Sequence, residues 1–160
     1  MILAATMAIA LLGDSIAAGV KPWMDPAAAT TIQGATAWHP WERTAVAGLP
    51  VVLVIGANDT PSPALAERMT LLARAMPDAT LVGPPCSTDM RQDARIEAVE
   101  AIQAAAWPAA RYLRLGHLRS PLSATCSPEN RTADGIHFTS AGYRALADWI
   151  AVNLRRNSEP

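Results

Sequence analysis

The sequence predicts one α/β domain, a parallel β-sheet held between two layers of helices in a three-layer αβα sandwich. Three observations predict it. Short apolar runs alternate with longer stretches whose apolar residues recur at helical spacing, the pattern of βαβ units. Each apolar run ends at or near a glycine (Gly13, Gly34, Gly56, Gly83 or Gly116), with polar residues collected just beyond. The length, 160 residues, suits a single domain with a real core. Strands buried on both faces read as such runs, and ligands of these sheets sit past the carboxyl ends of the strands.

Met7–Leu12 is expected to be the first strand. No Lys or Arg precedes it and the apolar run is too short to span a bilayer, so it does not read as a signal peptide. The compartment is left open between the cytoplasm and release by lysis. The second strand is placed at Thr30–Gln33, on a weaker pattern, and the third at Val51–Ile55. A helix is expected over Pro63–Met76, where Leu65, Met69, Leu72 and Met76 share a face. The fourth strand is Thr80–Val82, followed by a helix over Asp89–Ala106 carrying Ile96, Val99 and Ile102. Tyr112–Leu115 closes the sheet. The last helix, Ser140–Leu154, sets Tyr143, Leu146, Ile150 and Leu154 on one side. Between them, His117–Ala133 is a long loop rich in Ser, Pro, Thr and Asn, of the kind that carries working parts.

Composition excludes several classes of function. Thirteen basic and 14 acidic residues leave a net charge of −1 with no basic patch, which argues against nucleic acid as a partner. At 51% hydrophobic and 17% charged, the chain is not disordered. Two cysteines are too few for a disulfide scaffold or a four-cysteine zinc site. No cofactor, no metal and no membrane span are expected.

Three short segments carry candidate chemistry. Gly13-Asp14-Ser15 follows the first strand, so Ser15 enters a helix with its hydroxyl exposed. A helix cap is the plainer reading of that serine. Gly56-Ala57-Asn58-Asp59 follows the third strand, where the Asn58 amide suits a developing oxyanion or else simply makes a turn. Asp134-Gly135-Ile136-His137 sits before the last helix, at a spacing that brings the aspartate back to the histidine. Each has a bland alternative, but together they supply nucleophile, oxyanion donor, orienting carboxylate and base. His39 and His117 compete with His137 for the base; no aspartate sits within a few residues before His117, and His39 lies in Trp38-His39-Pro40-Trp41.

These segments resemble the blocks of the SGNH, or GDSL, hydrolase family of lipases and esterases. Gly13-Asp14-Ser15 looks like the first block, and Gly34 in Ile32-Gln33-Gly34-Ala35-Thr36 is similar to the second. Gly56-Ala57-Asn58-Asp59 resembles the third, and Asp134 to Tyr143 the fifth. The likeness runs from Met7 to about Leu154. It implies a flavodoxin-like sheet of five parallel strands and a metal-free serine hydrolase. In that reading Ser15, His137 and Asp134 form the triad, and the amides of Ser15 and Gly34 with the Asn58 side chain form the oxyanion hole. Asp14 and Asp59 brace loops.

The resemblance also implies neighbouring positions for Cys86 and Cys126, making a disulfide between them reasonable beside the alternative of two unrelated thiols. Trp38 and Trp41 read either as an aromatic wall for substrate or as cover for a small core, while Trp107 and Trp149 are expected in packing. The short link between Gly19 and Gly34 implies an open cleft. The expected activity is that of a monomeric serine esterase on short-chain carboxylic esters, O-acetyl groups on carbohydrate among them. A non-catalytic carbohydrate-binding domain on the same fold is the alternative.

Overall fold

The computed structural model describes residues 8–44, 47–115 and 127–156. Its strands are β1 (Ala10–Gly13), β2 (Ala28–Thr31), β3 (Val51–Val54), β4 (Thr80–Val82) and β5 (Tyr112–Leu113). They form one sheet in the order β2-β1-β3-β4-β5, with every pairing parallel. The helices are α1 (Ser15–Met24), α2 (Pro63–Ala75), α3 (Met90–Ala106) and α4 (Ser140–Arg156). None among the described residues is long and apolar enough to cross a membrane.

The period of two along each strand divides the core into two layers. Leu11, Val52, Val54 and Val82 point to one side and pack with Ile16 and Val20 of α1 and Leu146 and Ile150 of α4. Leu12, Leu53, Ile55 and Leu81 point to the other, against Leu65, Met69 and Leu72 of α2 and Val99 of α3. Burying each such side chain contributes about 1.5–3 kcal/mol, which makes these two faces the main support of the fold. The result is the expected three-layer sandwich, with the flavodoxin-like strand order.

Four strands begin or end elsewhere than the sequence predicts: the first ends at Gly13 rather than Leu12 and the third at Val54 rather than Ile55, and the second and fifth differ more. The second is Ala28–Thr31 rather than Thr30–Gln33, because its register pairs Ala28 with Ala10 and Thr31 with Gly13, where β1 ends. Its small alanines hid that start. The fifth stops at Leu113 rather than Leu115, since β4 offers it only Leu81 and Val82 as partners. Met7, the expected start of the first strand, lies outside the described residues, as do His117 and Cys126.

Helix starts follow local chemistry. Ser62 accepts the Leu65 N–H at 3.1 Å to cap α2, with Pro63 in its first position. Asp89 caps α3 by accepting the Arg91 and Gln92 amides, both at 2.9 Å. Gly13 is needed where β1 meets β3, because any Cβ at its φ of +152° would collide with the Val54 carbonyl. The chain order reverses between β1 and β3, the point at which sheets of this kind bind ligands beyond the carboxyl ends of their strands. Ser15 and Asn58 follow those two strands.

Candidate active site

Asp14 sets the nucleophile candidate. Its Oδ1 accepts the Ile16 N–H at 2.8 Å, which caps α1 and makes Ser15 the first helical residue. The first N–H of a helix has no intrahelical acceptor, and the helix start favours negative charge. Ser15 thus presents both a hydroxyl and an amide beyond the end of β1.

The base candidate is carried by a small antiparallel closure. Arg131 pairs with Phe138, the Thr132 N–H donates to the His137 carbonyl at 2.9 Å, and the Thr139 N–H to the Asn130 carbonyl at 2.9 Å. Inside the turn, Asp134 Oδ1 accepts the Ile136 and His137 amides at 2.9 Å and the Thr132 hydroxyl at 2.8 Å. Gly135 makes the turn at a φ of +71°, where a side chain would collide with the Thr88 hydroxyl. With Oδ1 so fixed, Oδ2 meets His137 Nδ1 at 2.5 Å, and His137 Nε2 lies 2.8 Å from Ser15 Oγ. Burial alone would raise the Asp134 pKa. The His137 ring, the two amides and the Thr132 hydroxyl outweigh it and hold the carboxyl far below its usual range. An ionised carboxylate only accepts, so Nδ1 carries the proton and Nε2 faces the serine as an acceptor.

Arg131 holds this closure from behind. Its guanidinium sits 3.7 Å from the Phe138 ring centroid, donates to the Ile136 carbonyl and reaches Cys86 Sγ at 3.3 Å. Burial lowers its pKa to about 10, so it stays charged at neutral pH. The partner expected for Cys86, Cys126, lies outside the described residues, so the bridge remains an expectation.

Three loops meet beyond the ends of β1, β2 and β3. The Ile32 N–H donates to the Gly13 carbonyl at 2.9 Å, joining the end of β2 to the end of β1. Gly34 follows in an exposed turn with φ +73°. The next residue, Ala35, accepts one N–H of the Asn58 side chain at 3.1 Å. The other Asn58 side-chain N–H has no acceptor among the described residues. Asp59 braces the same junction by accepting the Ala37 amide on both oxygens, at 2.9 and 3.2 Å.

The tryptophans separate. Trp41 is fully buried, with its ring in the core and Nε1 donating to the Thr36 carbonyl at 3.0 Å, so it forms no wall for a substrate. The reason is long-range: its loop is tied down by Asp59 and by Arg68. Trp38 protrudes, 58% exposed. Arg68 of α2 holds the carbonyls on either side of it, Ala37 at 2.9 Å and His39 at 3.0 Å, and pairs with Glu42 at 2.9 Å. His39 lies against Trp41 at 4.4 Å between centroids, while it is His137 that meets the serine. Trp107 is buried, with Nε1 on the Ala79 carbonyl at 3.1 Å, and Trp149 packs partly buried against the α1–α4 side.

Thr132, Arg131 and Arg68 hold these loops in place, and sequence reasoning does not single them out. A threonine two residues before an aspartate is a turn signal that points to Thr132. Nothing local marks the arginines. Among the described residues no cluster of three or more His, Cys, Asp or Glu side chains is arranged to hold a metal ion.

Burial pushes the Asp14 pKa up to about 7 and raises that of Asp59 in the same direction. A carboxyl whose pKa is higher folded than unfolded binds more protons when folded, so stability falls as pH rises between those values. Chemical denaturation from pH 4 to pH 7 is therefore expected to show declining stability, with Asp14 contributing roughly 4 kcal/mol at most. Asp14→Asn keeps the cap and should flatten the decline. A stability that rises through this window and is unchanged by the substitution would contradict the assignment.

No family model matches the chain, and no curated protein matches it in sequence. Solved structures do match. A lipase/acylhydrolase from Enterococcus faecalis superposes with a TM-score of 0.66 at 19% identity, covering 96% of this chain and 98% of that one. A carbohydrate esterase family 3 protein from Talaromyces cellulolyticus gives 0.65 at 17% identity, covering 94% and 97%. A two-domain esterase active on acetylated mannans gives 0.61 at 18% identity, covering 96% of this chain and 51% of that one. With its five parallel strands in this order and these neighbours, the chain has the fold of the SGNH, or GDSL, hydrolases.

Proposed function

We propose that the protein is a serine esterase that hydrolyses short-chain carboxylic esters through an acyl-enzyme, O-acetyl groups on carbohydrate being the natural class. One observation carries the reading: His137 spans Ser15 Oγ at 2.8 Å and Asp134 Oδ2 at 2.5 Å. Ser15 Oγ attacks the ester carbonyl as His137 Nε2 takes its proton, and the ionised Asp134 stabilises the imidazolium. Negative charge moves to the carbonyl oxygen, which the amides of Ser15 and Gly34 and the free N–H of Asn58 receive. His137 then protonates the departing alcohol. Water, deprotonated by the same nitrogen, attacks the acyl-Ser15 ester, and the acid leaves as the serine regains its proton. All these groups come from one chain, so a monomer suffices.

The substrate class rests on the shape of the site. Ile32, Trp38 and Asn58 are exposed. A shallow site offers a long acyl chain little burial, so each added methylene gains less than the roughly 0.8 kcal/mol of full burial. Trp38, whose neighbouring backbone carbonyls Arg68 holds, supplies a flat apolar face on which a sugar ring stacks. Two neighbours act, by their names, on carbohydrate or acetylated mannan, which agrees with such a ligand. Among p-nitrophenyl esters, acetyl and butyryl should give the highest kcat/KM. Trp38→Ala should raise KM for an acetylated oligosaccharide by a factor of about 2–10 while sparing kcat. A kcat/KM maximum at eight carbons or beyond would replace this reading with a lipase-like one.

A further inference from the structure

Asn58 stands in a loop with little regular structure to fix it. Within the loop, the Asp59 N–H turns back to the Gly56 carbonyl at 3.2 Å. The other strong hold comes from across the sheet edge. Arg95, half-buried on α3, donates from one terminal nitrogen to the Ala57 carbonyl at 2.8 Å and from the other to the Asp59 carbonyl. These are the carbonyls of the two residues that flank Asn58.

We infer that Arg95 is a positioning residue for the oxyanion hole, its guanidinium fork fixing the backbone on both sides of Asn58. The inference rests on the esterase reading and deepens it. A guanidinium is planar and rigid, so two acceptors bonded to its two ends are held at a set separation and orientation. The peptide unit is planar and trans. Drawing the Ala57 carbonyl toward α3 therefore aims the Asn58 N–H away from α3; the peptide unit after Asn58 is held by the Asp59 N–H on the Gly56 carbonyl, and Arg95 anchors the Asp59 carbonyl one peptide unit further on. The Cα of Asn58 is left little freedom to swing. Its side chain then reaches Ala35 with one N–H at a fixed place, and the second N–H is fixed with it. An oxyanion donor is effective only when held within a fraction of an ångström of where charge develops. A lysine supplies the same charge but no fork, so it holds one carbonyl or the other.

The role differs from general support of the fold in what it should move. On p-nitrophenyl acetate, Arg95→Ala should lower kcat roughly 10- to 100-fold with KM changed by less than about twofold, the signature of a misplaced transition-state donor. Arg95→Lys should recover only part of the loss. In an Asn58→Ala background the donor is already gone, so Arg95→Ala should cost less than about threefold more. Circular dichroism and thermal melting check that each variant folds, and Arg95→Lys decides by the same split if the alanine variant does not. The inference is overturned by an Arg95 variant as active as wild type, by a loss carried in KM, or by a loss that multiplies in full with Asn58→Ala. A wild-type protein without turnover would overturn the esterase reading and this inference together; wild-type turnover with an indifferent Arg95 would overturn the inference alone.

Discussion

Ser15→Ala and His137→Ala are each expected to remove nearly all ester hydrolysis, by roughly 10⁴- to 10⁶-fold in kcat, and the double variant should be little worse than either. The two side chains share one proton across 2.8 Å, so removing either abolishes the same step. What survives in each variant is the modest catalysis of the oxyanion donors and binding. Neither change should unfold the protein. Ser15 is a helical residue whose cap is Asp14, and the turn around His137 is built from its main-chain N–H and carbonyl rather than its ring. Steady-state kinetics on p-nitrophenyl acetate beside thermal melts check both halves of the expectation. Modest losses that multiply in the double variant would mean that serine and histidine act separately.

Asn58→Ala should lower kcat by roughly 10²- to 10³-fold and leave KM nearly unchanged. The Asn58 amide has one N–H on the Ala35 carbonyl, so in the proposed mechanism the second is the one that meets a developing negative charge. Alanine removes that donor and frees the Ala35 carbonyl to water. Because the residue is exposed, no buried group is left unpaired and the fold should hold. A raised KM with kcat intact would make Asn58 a ground-state contact for the substrate instead.

The parts of the fold legible in the sequence are those written in strong, local patterns. Thr80–Val82 reads as a buried strand, and the helical spacing of Leu65, Met69 and Leu72 marks α2. Where the pattern is made of alanine it fades, and β2 was placed two residues late because only its register with β1 fixes it. The candidate site divides along the same line. Ser15, Asn58, Asp134 and His137 stand in short contiguous segments just past strand ends or before a helix, and their chemistry is visible in neighbouring residues. The sequence leaves Trp41 open between substrate wall and core because Trp38-His39-Pro40-Trp41 does not say which ring turns inward. That is settled by Asp59 and Arg68, 22 residues beyond Ala37 and 31 residues beyond it. Arg95 is equally hidden, 38 residues from one carbonyl it holds and 36 from the other. A single sequence carries no mark of such pairings.

The central claim is that His137 makes the Ser15 hydroxyl a nucleophile. A fluorophosphonate reports this directly, because its phosphorus accepts an activated serine oxygen, releases fluoride and leaves a stable adduct whose oxygen mimics the tetrahedral oxyanion. Intact-mass and peptide mapping of the folded protein should show one adduct per chain, on Ser15, with labelling lost in His137→Ala and slowed in Asn58→Ala. Folded wild-type protein that takes no label, or that carries it on another residue, would contradict the account.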